Sequence, residues 1–178
     1  MKLEIEVKAK IKNLGVIISK LKKIGCIFSE PIIQDDYIYN VKGIDLSKIR
    51  STLVLRIRVQ GKRIIFTLKK NRNNELDCIE KEVDVNNKKK LEDIIELLGF
   101  KKTVEVHKKR IKTKYHDYEI CLDEVKDLGS FVEVEKMSDE DGEKIQKELF
   151  NFLKTFGVKE EDRMLIGYDT MVLNKKYK

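Results

Sequence analysis

The stretch LEIEVKAK at residues 3–10 alternates apolar and charged residues. In a β-strand alternate side chains point to opposite faces, so one face would be apolar and the other would carry Glu4, Glu6 and Lys8. A polar strand face often meets solvent in antiparallel sheets. The same alternation recurs at LRIRV (55–59), TLKK (67–70), IEKEV (79–83), HKKRI (107–111) and FVEVEK (131–136). This recurrence favours a charged site that several strands share over a set of unrelated solvated faces.

The composition places limits on the class of protein. The chain has 178 residues, one proline and no low-complexity run, so we predict a single domain spanning residues 1–178. Its formal charge of +7 would attract nucleic acid, an acidic membrane surface or a small phosphorylated molecule. No apolar run approaches the length of a membrane span, so a membrane partner is not expected.

The cysteines and the N-terminus indicate a compartment. Cys26, Cys78 and Cys121 are odd in number and show no paired spacing, which favours a reducing, cytoplasmic setting. The strand pattern begins at residue 3 and leaves no room for a signal peptide. A homodimer is compatible with the sequence.

Three of the acidic strands run into segments with helical spacing of apolar residues, at 13–25, 87–99 and 138–157. The candidate N-caps are Asn13, Asn87 and Ser138, and the candidate stop residues are Gly25, Gly99 and Gly157. Each helix must bury its apolar stripe, and the apolar faces of the strands offer the surface for it. The charged strand faces would then point away from the helices.

Further strands are predicted at 36–41, 52–59, 63–70, 103–112 and 118–125. Together with the three acidic strands they make about eight antiparallel strands, the number at which a sheet can close around one small ligand. We therefore predict an α+β fold, a closed eight-stranded antiparallel β-barrel with a charged bore and helices packed outside.

Strand parity collects many charges on the inner face. The acids are Glu4, Glu6, Glu80, Glu82, Asp123, Glu133 and Glu135, and the cations are Lys8, Arg56, Arg58, Lys69, Lys108 and Arg110. Unpaired charges are costly in a dry interior, so the bore must hold water, metal ions or a charged ligand. A polyphosphate suits both signs, because its oxygens bind Lys and Arg while Mg²⁺ or Mn²⁺ on carboxylates neutralises its remaining charge.

These residues also resemble a known family. The pattern E-x-E-x-K stands here as Glu4, Glu6 and Lys8. In the same order follow QDDYIY (34–39), LRIR (55–58), TLK (67–69), EKE (80–82), KKR (108–110) and LDEVKDLGSFVEVE (122–135). Over nearly its whole length the chain resembles the CYTH, or triphosphate tunnel metalloenzyme, superfamily, and is most similar to the class IV adenylate cyclase branch. It departs from that branch at Gly167-Tyr168, where such cyclases often have Ser-Tyr.

The resemblance implies roles for the inner-face residues. It implies a catalytic set of Glu4, Glu6, Lys8, Glu133 and Glu135, in which the four acids hold the catalytic Mg²⁺ or Mn²⁺. It implies that Lys8, Arg56, Arg58, Lys69, Lys108 and Arg110 bind the triphosphate. Glu80, Glu82 and Asp123 are nearby acids without an assigned role. The implied reaction converts ATP to cyclic AMP and pyrophosphate.

Other functions remain open from sequence. The same bore would serve a triphosphatase that hydrolyses thiamine triphosphate, a nucleoside triphosphate or inorganic tripolyphosphate, or a binding protein without turnover. The run HKKRIKTK at 107–114 is also typical of a nucleic-acid patch. Against nucleic acid, the interleaved acids would repel a phosphate backbone, so a small-molecule triphosphate is the expected partner.

Overall fold

The computed structural model describes residues 3–41 and 53–176. The strands are β1 (Leu3–Ile11), β2 (Ile32–Val41), β3 (Leu53–Gln60), β4 (Arg63–Asn74), β5 (Asp77–Val85), β6 (Phe100–Tyr115), β7 (Tyr118–Val125), β8 (Gly129–Ser138) and β9 (Arg163–Met164). The helices are α1 (Leu14–Lys23), α2 (Lys88–Leu97), α3 (Gly142–Thr155) and α4 (Tyr168–Lys176), with a 3-10 turn at Glu160–Asp162.

Eight strands close into an antiparallel barrel in the order β5-β4-β3-β2-β6-β7-β8-β1, and the pairing of β1 with β5 completes the circle. The short β9 pairs with β1 beside Lys8 and Ala9. The predicted closed eight-stranded barrel is therefore confirmed. Several strands run longer than predicted, notably β2 and β6. Thr52, the first residue of one predicted strand, lies outside the described residues.

The hydrophobic core lies between the barrel wall and the helices outside it. On β1, Ile5 and Val7 point outward and pack with Ile145 and Leu149 of α3 in a cluster that also contains α1 residues. On the other side of the barrel, α2 covers β2 and β3. Because the apolar faces point outward to the helices, the charged faces point into the bore.

The predicted caps of the first two helices are confirmed. The side chain of Asn13 accepts a hydrogen bond from the backbone N–H of Gly15 at 2.9 Å, and Asn87 accepts one from Lys90 at 2.9 Å. Gly25 and Gly99 follow these helices with φ of 89° and 87°, the left-handed region that favours glycine.

The start predicted for the third helix was wrong. Ser138 is still part of β8, and α3 begins four residues later. Its N-cap is Asp141, whose carboxylate accepts a hydrogen bond from the Lys144 N–H at 2.9 Å. Either residue type can cap a helix, and the length of β8 decides between them. Gly157 ends the helix as predicted, with φ of 87°.

One helix, α4, was not predicted. It packs against apolar residues on the inner face of the barrel, where the charged pattern of the strands stops. Val106, Val125 and Phe131 contact Tyr168 and Met171. Beside them, Ile38 and Val104 contact Leu173. We call this apolar layer the floor of the bore.

No helix within the described ranges combines the length and the apolarity needed to cross a membrane.

Candidate active site

The barrel encloses a cavity of about 470 Å³. Twelve of the thirteen charged residues predicted for the inner face line it. The exception is Asp123, which is fully buried behind the Arg110 guanidinium that binds it. Strand parity thus brings the predicted site residues together.

The register of the barrel decides which charges meet. Lys8 lies directly across from Glu133, and Glu6 lies across from Glu135, both between β1 and β8. Arg110 faces Asp123 between β6 and β7. These cross-strand neighbours are close enough for their side chains to interact.

Three acids converge at one side of the cavity. Carboxylate oxygens of Glu4, Glu6 and Glu135 all lie within 4.8 Å of one another, and we call these residues the three-acid group. Burial raises the pKa of Glu4 to about 8, opposed by Lys69 and reinforced by the charges of Glu80, Glu135 and Glu6. Burial and the charge of Glu6 raise the pKa of Glu135 to about 7. A divalent cation suits this group, because it would neutralise like charges that otherwise repel.

Glu133, also predicted as a metal ligand, has different neighbours. One of its oxygens lies 3.2 Å from the Lys8 ammonium, and the other accepts a hydrogen bond from Arg110. Burial opposes its ionisation, but Arg110 and Lys8 hold the pKa of Glu133 well below its usual range. Its position as a charge partner of two cations separates it from the three-acid group, and its role as a metal ligand stays a prediction.

Each of the six predicted phosphate-binding cations lies near a carboxylate. Arg58 binds Asp36 through two hydrogen bonds of 2.6 and 2.8 Å. Arg110 binds Asp123 in the same bidentate way, at 2.8 and 2.6 Å. Lys108 lies between these acids, 3.8 Å from Asp36 and 3.9 Å from Asp123. Burial and the charge of Arg110 lower the pKa of Lys108 to about 8.

Arg56 and Lys69 form a second basic cluster on the adjacent strands β3 and β4. One Arg56 nitrogen contacts Glu80 at 2.8 Å and Glu82 at 3.0 Å. Lys69 pairs with Glu80 and lies 3.8 Å from Glu4. The buried Nε of Arg56 has no hydrogen-bond partner among the residues that the structure describes. An unpaired buried donor is costly, so this nitrogen suits an anion entering the cavity.

Two site residues escaped the sequence analysis. Asp36 lies in the quoted motif QDDYIY, and its strand parity could have placed it inside the bore. The register of β2 and β3 then places it across from Arg58. Tyr168 is the first residue of α4. The centre of its ring lies 4.3 Å from the ammonium nitrogen of Lys8 and 5.0 Å from that of Lys108. Its hydroxyl donates to Asp123 at 2.9 Å. Tyr168, to which the sequence analysis assigned no role, therefore contacts Lys8 and Lys108, two of the predicted phosphate-binding residues.

A carboxylate from the β4–β5 turn fixes the start of α4. Glu75 accepts hydrogen bonds from the backbone N–H of Gly167 at 2.7 Å and from the hydroxyl of Thr170 at 2.9 Å. These bonds satisfy groups at the helix N-terminus, as a cap does. Glu75 thus holds Tyr168 in position above Lys8.

Comparison with known proteins agrees with this architecture. The family model described as "CYTH domain" matches residues 2–168. A protein of Methanocaldococcus jannaschii named "Putative adenylate cyclase MJ0240" is 30% identical over 170 residues, which cover 93% of this chain and 96% of that protein. The PH1819 protein of Pyrococcus horikoshii OT3 has a TM-score of 0.80 and 27% identity over 97% of this chain and 99% of its own. A conserved hypothetical protein of Pyrococcus furiosus has a TM-score of 0.80 and 26% identity over 93% of this chain and 97% of its own. This chain belongs to the CYTH domain family.

Proposed function

We propose that this protein is a metal-dependent enzyme that acts on a triphosphate inside the barrel. One observation carries the proposal: the three-acid group and the six cations line the same cavity. A phosphate chain with a bound divalent cation presents both charges at once. The cations suit its oxygens, and the acids suit its metal.

The six cations would bind and orient the phosphate chain. The Nε of Arg56 has no partner in the described residues, and it would donate to a phosphate oxygen once the side chain turned toward the ligand. Lys8 and Lys108 can turn toward phosphate from their present contacts with Tyr168. The bidentate bonds to Asp36 and Asp123 hold Arg58 and Arg110 in fixed orientations.

Glu4, Glu6 and Glu135 would hold Mg²⁺ or Mn²⁺. The bound ion would polarise a phosphoryl oxygen and neutralise charge that develops there. The carboxylates must be ionised to bind it, which requires that Glu4 and Glu135 lose the protons that their raised pKa values favour.

Our first candidate reaction is the adenylate cyclase reaction. In it the ribose 3′-hydroxyl attacks the α-phosphorus of ATP, a new O–P bond forms, and the bond from that phosphorus to the leaving pyrophosphate breaks. The hydroxyl proton passes to solvent. The name of the 30% identical archaeal relative supports this choice.

Hydrolysis is the second candidate, with water in place of the ribose hydroxyl. The side chains of Glu4, Glu6 and Glu135 are 26%, 13% and 18% exposed, so water can reach the acids. Phosphate binding would use the same residues in both reactions. The candidates therefore differ in the nucleophile and in what holds the organic end of the substrate.

A product assay tests the proposal. The protein is incubated separately with ATP, thiamine triphosphate and tripolyphosphate under Mg²⁺ or Mn²⁺, and the products are resolved by anion-exchange chromatography. We expect cyclic AMP and pyrophosphate from ATP, with turnover strongly reduced in Glu135→Gln at metal concentrations that are limiting for the wild type. Glu124→Gln is the matched control, because that side chain is 58% exposed and does not line the bore. ADP and phosphate instead would establish hydrolysis, and intact substrates throughout would refute an enzyme of this class.

A further inference from the structure

Helix α3 carries a polar side chain in the layer between the helices and the barrel wall. Gln146 is 4% exposed and lies next to the buried apolar residues Ile145, Leu149 and Phe150 of the same helix. An amide in such surroundings is costly unless its groups form hydrogen bonds. Its presence there indicates a polar partner in the barrel wall.

That partner lies at a gap along one side of β1. On this side β1 pairs with β5 at residues 4–5 and with β9 at residues 8–9. Glu6 lies between these two pairings. Its backbone N–H donates to the carbonyl of Leu76, the residue that precedes β5, at 2.9 Å.

Gln146 supplies the second half of this backbone pairing. In an antiparallel ladder two opposed residues exchange both hydrogen bonds, but the N–H of Leu76 donates to the side-chain oxygen of Asn74 at 2.9 Å. The Glu6 carbonyl accepts a hydrogen bond from Nε2 of Gln146 at 3.0 Å. The Gln146 amide also forms two bonds with Asn74, donating at 3.1 Å and accepting at 3.0 Å. Both N–H groups and the oxygen of Gln146 thus have partners.

We propose that Gln146 is a positioning residue for the metal, because it fixes the backbone of Glu6 within the three-acid group. This inference rests on the proposed function. The Glu6 carboxylate lies within 4.8 Å of those of Glu4 and Glu135, so a shift of β1 at this gap would change the spacing of the three ligands. Replacing a residue that orients a metal ligand typically weakens metal binding by about 10- to 100-fold.

Gln146→Met tests this role, since methionine keeps the length and the helix preference of glutamine but lacks the amide. The dissociation constant for Mn²⁺ is measured on the full chain, without substrate, by electron paramagnetic resonance of the free ion. Tripolyphosphate binding is measured by calorimetry in chelator. We expect Mn²⁺ to bind about tenfold more weakly. Tripolyphosphate binding should be unchanged, because five of the six phosphate-binding cations lie on strands other than β1.

Thr113→Val is the matched control for a loss of stability alone. Thr113 is 4% exposed, its hydroxyl donates to the Ile27 carbonyl at 2.7 Å, and it does not line the cavity. The variant therefore also removes a hydrogen bond from a buried side chain to the backbone. It should lower the melting temperature and leave the Mn²⁺ constant unchanged.

Asn74→Ala provides a second variant if Gln146→Met does not fold. It keeps the bond to Glu6 but removes the side chain that orients the Gln146 amide, so we expect a smaller loss of Mn²⁺ affinity in the same direction. Unchanged Mn²⁺ binding in the folded variants, or an equal loss in Thr113→Val, would overturn the positioning role while the proposed function stood. A wild-type protein that bound no Mn²⁺ would overturn both.

Discussion

The Tyr168 hydroxyl donates a 2.9 Å hydrogen bond to Asp123, the same carboxylate that binds Arg110 through two hydrogen bonds. This contact joins α4 to the basic residues of the bore. Because the ring also covers Lys8 and Lys108, the helix is part of the wall of the site as well as of the hydrophobic floor.

Replacing Tyr168 separates these roles. Tyr168→Phe loses one hydrogen bond and keeps the ring, so we expect the free energy of unfolding to fall by about 1 kcal/mol. Tyr168→Ala also removes the packing on Phe131, at 5.1 Å between ring centroids, and should cost about 3–5 kcal/mol. Urea denaturation measures both, and equal losses would mean that the ring packing contributes little.

The two inward acids of β8 should respond differently to neutralisation. We expect Glu135→Gln to raise the metal concentration needed for half-maximal activity, because Glu135 belongs to the three-acid group. Glu133→Gln leaves Lys8 and Arg110 short of a buried partner and should lower the melting temperature more. Measuring the activity of both variants against metal concentration distinguishes a metal ligand from a charge partner. An equal shift in metal requirement would make Glu133 a metal ligand too, as the sequence predicted.

We expect a substitution of Arg56 to weaken phosphate binding and the substitution of a surface arginine to leave it unchanged. A charge-assisted hydrogen bond is worth about 1.5–3 kcal/mol, so Arg56→Ala should weaken tripolyphosphate binding roughly tenfold or more. Arg63→Ala is the control, because Arg63 is 61% exposed, pairs with Asp84 and does not line the cavity. If calorimetry gave the same constant for both variants, Arg56 would not contact phosphate.

The raised pKa values predict how the metal-free protein responds to pH. The pKa is about 8 for Glu4 and about 7 for Glu135 in the folded protein, and 4.5 for both in the unfolded chain. Between these values the folded protein keeps protons that the unfolded chain has released. The contribution of these two groups to the free energy of unfolding is therefore greatest near or below pH 4.5, and it decreases as the pH rises toward 8. Melting temperatures should decrease between pH 6 and 8.5 in chelator, and Glu4→Gln should flatten that slope. A wild-type slope of the opposite sign would contradict the assigned burial of these acids.

The alternation of apolar and charged residues predicted the barrel well, because the pattern of each strand decides which of its side chains face the helices and which face the bore. Once Leu3, Ile5 and Val7 must meet a helix, Glu4, Glu6 and Lys8 have to face the bore, and the same reasoning holds for every strand that follows. The caps of α1 and α2 were readable for a similar reason, since Asn before an apolar stripe and Gly after it act within one turn.

The features that were missed depend on distant parts of the chain. The apolar residues of α4 are not gathered on one helix face toward a sheet, so the usual periodicity is absent, and its start is fixed by Glu75 from a turn between strands. Which acid meets which cation follows from the barrel register, which sequence does not give. Asp36 therefore was not recognised as the partner of Arg58.

The most direct test of the charged-bore account is thermal unfolding in the presence of ligands. A ligand that binds only the folded state adds roughly 2.7 kcal/mol of stability at a hundredfold excess over its dissociation constant. We predict that tripolyphosphate with Mg²⁺ raises the melting temperature more than either component alone, and that duplex DNA at physiological salt has little effect. Stabilisation by DNA, without stabilisation by tripolyphosphate and Mg²⁺, would contradict the account and assign the basic residues to a nucleic-acid surface.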